Sequence, residues 1–205
     1  MDTDNIYQDF LRSRRSIRRF QQKPVEPEKI NRIIETAMTA PSAHNRQPWR
    51  FAIISDPKIK NFIGKGMGKV FAEDLEIEGF SADEIQRKVG ISKSRILNSP
   101  IIIILFLDMS EMNNYPAESI KRINSERVMG IQSVAAAGTL IQLAATAEDL
   151  AAVWTCWPLF ATEPIQNILD TPFDWEPQAM FFIGYPAESP KNKLIIPKEN
   201  ITKYF

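Results

Sequence analysis

The chain has 205 residues, 44% of them hydrophobic and 24% charged, which is the composition of one soluble domain, residues 1–205, with a sizeable core. Its 25 basic and 25 acidic residues balance, so no net charge draws it to nucleic acid or to a membrane surface. The single cysteine, Cys156, excludes an internal disulfide or a cysteine zinc site and favours a reducing compartment, the cytoplasm.

The first half of the chain is rich in helix signals. Residues 4–14 can form a short helix, and Pro27, flanked by acidic residues, suits the first turn of a second one. Residues 51–54 are apolar and predict a buried strand. Asp56-Pro57 and Ser81-Ala82-Asp83-Glu84 have the N-cap patterns of two further helices.

The second half alternates between strand and helix signals. Residues 100–107 are rich in β-branched side chains and predict a central strand, and residues 108–124 predict an irregular excursion. Residues 125–147 predict a long helix dense in Ala and Gly, residues 164–169 a short helix, and residues 178–185 a strand. The sequence thus predicts an α+β (mixed α/β) domain in which three or four strands are covered by helices.

Two further segments carry weaker signals. The run Gly64-Lys65-Gly66-Met67-Gly68 superficially resembles a nucleotide-binding loop, but it lacks the required spacing and context, so we expect a flexible turn. The tail, residues 191–205, contains proline and has no packing pattern of its own. We therefore expect it to be extended, and such a tail often packs on a neighbour.

A dense cationic cluster follows the first predicted helix. It contains Arg12, Arg14, Arg15, Arg18 and Arg19, with the hydroxyl of Ser16 among them in the sequence. Guanidinium groups supply several charge-assisted donors in a planar fork, which suits a bound phosphate. A solvated, charged helix end is the alternative interpretation.

A polar loop, residues 40–48, precedes the first predicted strand. It contains the side-chain amides of Asn45 and Gln47 and the only histidine, His44. Amides can pair with the mixed donor–acceptor edge of a ring system. A plain connecting loop rich in Pro and Asn is the alternative. With the cationic cluster, the loop suggests one phosphate-bearing, ring-containing cofactor held at two ends.

These two segments resemble the opening of the FMN-dependent nitroreductase family, which typically has an Arg-Arg-Ser-(Ile/Val)-Arg motif, a helix, and an Ala-Pro-Ser-x-x-Asn-x-Gln-Pro-Trp loop. Weaker matches at residues 134–160 and 178–193 extend the resemblance over most of the chain. His44 and residues 169–177 look most like the flavin domain fused to coenzyme F420 gamma-glutamyl ligases. The resemblance implies a nitroreductase-like fold: a small, mainly antiparallel sheet flanked by helices, in an intertwined homodimer with an extended C-terminal tail and flavin at the interface.

The resemblance also implies roles for residues at the two ends of FMN. Arg14, Arg15, Ser16 and Arg18 match FMN-contacting positions, with Arg15 acting through its backbone. Arg18 would reach the pyrimidine edge of the flavin, where a cation stabilises the anionic reduced ring. The loop residues that match flavin-lining positions, contributed by the partner subunit, are Pro41, Ser42, Ala43 and Asn45, with Gln47 as a weaker candidate.

In the family, backbone N–H groups after the long helix face flavin N5, and Trp154, Thr155, Cys156 and Trp157 match this wall. The chain departs from the family pattern at two points. The Gly that usually ends the long helix is Asp149, a residue type that tolerates the left-handed conformation. The small residue expected at N5 is Cys156, followed by a bulky Trp, which would narrow the substrate pocket.

Further cations complete the implied site. Lys191 and Lys193 match a basic pair that closes over the FMN phosphate, although a solvated lysine pair is the alternative. Arg95, in preference to Lys93, matches a cation at the flavin edge. His44 is a possible substrate contact or an ordinary hydrogen-bonding loop residue, and a single His excludes mechanisms that need two.

The resemblance implies an FMN-dependent oxidoreductase that passes hydride from NAD(P)H through flavin N5 to a nitroaromatic, a quinone or an activated alkene. No metal and no catalytic side chain is required, because the flavin carries the chemistry. Three alternatives stay open: a specialist reductase of a deazaflavin (F420) precursor, a non-catalytic FMN-binding or sensing module, and a flavin-free interaction protein.

Overall fold

The computed structural model describes residues 3–190 and 193–205. This part of the chain forms six α-helices and four β-strands, joined by short 3-10 turns. The helices are α1 (Thr3–Ser13), α2 (Pro27–Ala37), α3 (Pro57–Ile77), α4 (Ala82–Asn98), α5 (Ile120–Ala147) and α6 (Thr162–Leu169). The strands are β1 (Trp49–Ile54), β2 (Ile101–Asp108), β3 (Ala151–Thr155) and β4 (Trp175–Gly184).

The four strands form one antiparallel sheet in the order β1-β2-β4-β3. The predicted α+β class and the small antiparallel sheet are therefore confirmed. All eight residues of β2 are buried, because helices cover both faces of the sheet. The odd-numbered residues of β2 pack into one core with α2 and α5, and the even-numbered residues 102–106 pack into a second core with α3, α4 and α6. A strand with two buried faces reads as a continuous apolar run, as this one does.

Several predicted element starts are confirmed by local chemistry. The Asp56 carboxylate accepts a hydrogen bond of 2.6 Å from the backbone N–H of Lys58 and caps α3. Ser81 and Glu84 form the predicted capping box at the start of α4. Pro27 opens α2 as expected.

The expectation of a flexible turn at residues 64–68 is wrong, because this segment lies inside the 21-residue helix α3. The glycines instead permit close helix packing. A Cβ atom at Gly64 would lie 3.2 Å from Lys93 of α4, and one at Gly66 would lie 3.1 Å from Pro164 of α6. The absence of side chains thus brings α3 against two neighbours.

Two other boundaries differ from expectation. Helix α5 begins at Ile120, five residues before the predicted start at residue 125, so the irregular excursion is shorter. Strand β1 is only partly buried, and Ile53 is 48% exposed. By length and composition α5 is apolar enough to cross a membrane, but half of its most apolar window is buried inside the fold, as in a core helix.

Candidate functional site

A cleft of about 1150 Å³ lies between the segment after α1 and one face of α4. Its walls carry a strong excess of positive charge, with Glu188 as the acidic residue among the described residues that line it. The cationic residues are Arg14, Arg15, Arg18, Arg19, Arg87, Arg95 and Lys193. The structure therefore brings together the predicted cationic cluster, Arg95 and Lys193, except that Arg12 does not line the cleft and pairs with Gln8 on α1. Lys191 lies outside the described residues.

The edge strand β3 positions the cationic segment, residues 14–19. Ser16 forms a parallel bridge to Ala152 of β3, and the N–H of Ile17 donates to the carbonyl of Ala152 at 3.3 Å. Ile17 is buried, so it anchors the segment while its neighbours face the cleft. Further along, the N–H of Gln21 donates to the carbonyl of Tyr185 at 2.9 Å.

Tyr185 also fixes the chain where it leaves the cleft. Its hydroxyl donates to the Glu26 carboxylate at 2.6 Å, and this hydrogen bond lowers the pKa of Glu26 from its ordinary value. The ammonium of Lys23 lies 3.9 Å from the centre of the Tyr185 ring. The route from the cationic segment to α2 is thus held by contacts with the end of β4.

The cations of the cleft are not equally available to a ligand. The Arg15 guanidinium donates to the carbonyls of Arg12 and Arg14, so it closes the end of α1. Among the described residues, the side chains of Arg14, Arg87, Arg95 and Lys193 make no hydrogen bond or ion pair with the protein. Four cations that line the same cleft as Ser16 are therefore available to meet an anion.

The predicted amide loop lies outside the cationic cleft. Residues 41–47, which include Pro41, Ser42, Ala43, His44, Asn45 and Gln47, do not line the cleft. The loop instead rests on α5, where the N–H of Ala43 donates to the Ser133 hydroxyl at 3.0 Å. Within one chain, the two predicted ends of the cofactor site are therefore not brought together.

Strand β3 links the cationic cleft to a second cavity. Its second residue, Ala152, lies beside Ser16, and the strand leads to Cys156, which is exposed, and to Trp157. The Thr155 hydroxyl donates to the carbonyl of Met180 on β4 at 3.2 Å. Neither Cys156 nor Trp157 lines the cationic cleft.

Trp154 is mainly a packing residue. Its ring meets Phe181 edge-on, with centroids 5.0 Å apart and an interplanar angle of 61°. Asp149, which precedes the strand, adopts the left-handed conformation with φ of +59° and ends α5. Among residues 154–157, which the resemblance assigns to the wall of the flavin site, the Trp154 ring is therefore committed to the core.

An apolar pocket of about 260 Å³ lies beyond this wall, between α3, α4 and the turn Trp157–Phe160. Its apolar lining includes Met67, Phe71, Ile96, Trp157 and Phe160. The charged residues Asp74, Glu78 and Lys93 also line it. Lys93 therefore faces this pocket, whereas Arg95 faces the cationic cleft on the other side of α4.

Sequence reasoning missed part of this lining. Arg87 joins Arg95 in the cleft, and their separation of eight residues, about two helical turns, is a signal of a shared face. Gly64, Met67, Gly68 and Phe71 have helical spacing, but the segment was expected to be a turn.

No group of three or more His, Cys, Asp or Glu side chains that could hold a metal occurs in the described part of the chain.

The fold and the cleft define an α+β protein with a cleft lined by cations beside a sheet edge. The model of the Nitroreductase family matches residues 11–185, and the chain belongs to this family.

Relatives support this placement. An iodotyrosine deiodinase from Haliscomenobacter hydrossis is 29% identical over 198 residues, covering 89% of this chain and 80% of the relative. A Methanothermobacter thermautotrophicus protein described as an NADH dehydrogenase/NAD(P)H nitroreductase is 27% identical over 195 residues, covering 93% and 83%. A Desulfovibrio desulfuricans protein described as a nitroreductase, solved in complex with FMN, has a TM-score of 0.69 at 25% identity, covering 97% of this chain and 96% of that one.

Proposed function

We propose that the protein is an FMN-dependent oxidoreductase in which hydride passes from NAD(P)H through flavin N5 to an electrophilic acceptor: a nitroaromatic, a quinone or an activated alkene. The observation that carries this proposal is the set of cations that line the cleft with Ser16 and form no hydrogen bond or ion pair within the described residues, namely Arg14, Arg87, Arg95 and Lys193. Membership of the Nitroreductase family and the FMN complex of a similar structure support it.

The donor chemistry of the cleft fits a phosphate-bearing cofactor. A phosphate monoester carries close to two negative charges, and each charge-assisted hydrogen bond contributes about 1.5–3 kcal/mol. Arg14, Ser16 and Lys193 would hold the phosphate, while Arg18 and Arg95 would meet the ring edge. The cleft, of about 1150 Å³, is large enough for a cofactor of this size.

The same geometry suggests how this chain would place the reacting partners. Arg18 would favour negative charge at the pyrimidine edge of the ring. The edge of β3 runs from the cationic cleft to Trp157, so the backbone of residues 154–156 would border the reacting position. The apolar pocket beside Trp157 would receive the acceptor. Its volume of about 260 Å³ suits a substituted single ring, since a cavity of about 150 Å³ accepts benzene.

The amide loop enters this proposal through a second copy of the chain. Because residues 41–47 lie away from the cleft of their own chain, we infer a homodimer in which Ser42, Ala43 and Asn45 complete the partner's flavin site. A symmetric dimer then has two equivalent sites, each built from two chains.

Flavin content and subunit complementation test the proposal. The wild-type protein should be yellow and carry about one FMN per chain, identified after release by heat. Arg14→Ala and Arg18→Ala should lose most of it, whereas Arg12→Ala, a matched control at the end of α1 outside the cleft, should not. Full FMN occupancy in folded Arg14→Ala and Arg18→Ala proteins would refute the assigned site.

Mixing two defective variants tests the shared site. Arg14→Ala and Asn45→Ala chains, unfolded together and refolded, should form mixed dimers in which one of the two sites has only native residues. Random assortment makes half of the dimers mixed, so about one quarter of all sites should bind FMN normally. No recovery in a folded, dimeric mixture would contradict the contribution of the loop to the partner's site.

Anaerobic reduction separates the catalytic proposal from its alternatives. Bleaching of bound FMN by NADH or NADPH would support an enzyme and exclude a purely binding or sensing module. Re-oxidation by nitroaromatics or quinones would favour the proposed generalist, whereas reaction only with a deazaflavin precursor would favour the specialist. Iodotyrosine belongs in the same panel because of the deiodinase relative.

A further inference from the structure

The amide loop has an unusual backbone. His44, Asn45 and Gln47 have φ values of +53°, +52° and +51°, so three non-glycine residues out of four adopt the left-handed conformation. This conformation is unfavourable for residues with a side chain, and it persists only where the surroundings impose it. The loop therefore needs ties that hold it in place.

One tie is a buried hydroxyl. Ser133 lies on α5 and is only 4% exposed, and its Oγ accepts the hydrogen bond from the N–H of Ala43 at 3.0 Å. The same hydroxyl donates to the carbonyl of Met129 at 2.7 Å, which fixes its orientation. Inside the loop, the Ser42 hydroxyl accepts from the N–H of Gln47 at 3.0 Å.

A second tie runs through a buried carboxylate. The Arg46 guanidinium donates to the side-chain oxygen of Asn113. The backbone N–H of Asn113 donates to Glu126 at 3.0 Å, and the hydroxyl of Tyr115 donates to the other oxygen of Glu126 at 3.1 Å. Glu126 is 1% exposed, and within the described residues it forms no salt bridge.

Both ties come from one face of one helix. Glu126 and Ser133 are seven residues apart on α5, which is two turns, so their side chains project in nearly the same direction. Gly130 lies between them, where a Cβ atom would be only 3.0 Å from the Leu107 side chain of β2. The part of α5 that carries Glu126 and Ser133 is thus packed tightly on the central strand β2.

We propose that Glu126 and Ser133 are positioning residues, which hold the loop of residues 42–47, with its three left-handed residues, in the conformation required to meet the flavin of the partner subunit. This inference rests on the proposed function. Neither residue has to touch the cofactor. Burying a carboxylate without a cationic partner costs free energy. The positioning role explains why Glu126 accepts hydrogen bonds from Asn113 and Tyr115, because Asn113 also accepts the hydrogen bond of Arg46.

Matched serine variants test the proposal. Ser133→Ala removes the first tie. Ser125→Ala is the control, because Ser125 makes the same bond to the carbonyl four residues earlier but is exposed and, within the described residues, makes no hydrogen bond to the loop. Hydrogen exchange of the loop amides, measured in the apoprotein, should become faster in Ser133→Ala and Glu126→Gln and stay unchanged in Ser125→Ala. The dissociation constant for FMN should rise about fivefold to tenfold in the first two variants, which corresponds to one lost hydrogen bond.

The two measurements have separable outcomes. Unchanged loop exchange in Ser133→Ala and Glu126→Gln would overturn the inference. Faster exchange with wild-type FMN affinity and an unaltered visible circular dichroism spectrum of the flavin would also overturn it, because the loop would then be held without consequence for the cofactor. A wild-type protein that takes up no FMN would refute the proposed function, and the exchange comparison would still decide whether the two residues hold the loop.

Discussion

Replacing Gly138 by alanine tests how tightly α5 packs on the wall of the candidate site. A Cβ atom at this position would lie 2.6 and 2.8 Å from two ring carbons of Trp154 and 3.0 Å from the Phe181 ring. These separations are well below van der Waals contact. Since the two rings are already packed edge to face, neither can move away without disturbing the other.

The expected effect combines two opposing contributions. Alanine is favoured over glycine in a helix interior by about 1 kcal/mol. Overpacking a core usually costs about 1–3 kcal/mol, and contacts with two rigid rings place this site at the upper end. We therefore expect Gly138→Ala to lower the free energy of unfolding by about 2 kcal/mol.

Gly90 provides the matched control. It also lies within a helix, α4, but a Cβ atom there would meet nothing within 4 Å. Gly90→Ala should therefore raise the free energy of unfolding by about 0.5–1 kcal/mol through helix propensity alone. Urea denaturation followed by far-ultraviolet circular dichroism measures both variants. A Gly138→Ala protein as stable as the wild type, or as stable as Gly90→Ala, would refute the packing argument.

Two further predictions concern Lys60 and Asp149. Lys60 is buried and donates to the carbonyls of Ser99 and Pro100, both at 2.7 Å, and burial lowers its pKa below 10.5. At pH values between the folded-state and unfolded-state pKa of Lys60, the unfolded chain therefore binds more protons than the folded chain. The free energy of unfolding, measured relative to Lys60→Met, should therefore increase as pH rises towards 10.5. Denaturation curves that show no such increase would contradict this sign. At Asp149, whose φ is +59°, Asp149→Gly should be about 1 kcal/mol more stable than Asp149→Ala. Equal midpoints of thermal unfolding for Asp149→Gly and Asp149→Ala would contradict this prediction, because the left-handed conformation would then cost alanine no free energy.

Local signals in the sequence predicted much of the fold. The Asp56 cap and the Ser81–Glu84 capping box act within one turn of the chain, so they can be recognised without tertiary information. The apolar run of β2 indicated a central strand because both faces of that strand are covered. All of these signals come from residues that are close together in the sequence.

The missed features depend on contacts between distant segments. The glycines at residues 64–68 indicated a turn, but they are tolerated inside α3 because α4 and α6 lie close against them. The first residues of α5, 120–124, are largely polar and include exposed isoleucines, so they have no clear helical apolar face. The left-handed residues of the amide loop could not be predicted because α5 imposes their conformation.

The separation of the two predicted motifs follows from the element between them. Arg18 and Ser42 are only 24 residues apart, and the sequence suggested two ends of one cofactor site. Helix α2 occupies eleven of the intervening residues and advances the chain by about 16 Å, because each residue of an α-helix adds about 1.5 Å. It therefore carries the loop away from the cationic cleft. Under the proposed function, the two motifs would meet through a second chain, and their separation within one chain is the physical basis of that proposal.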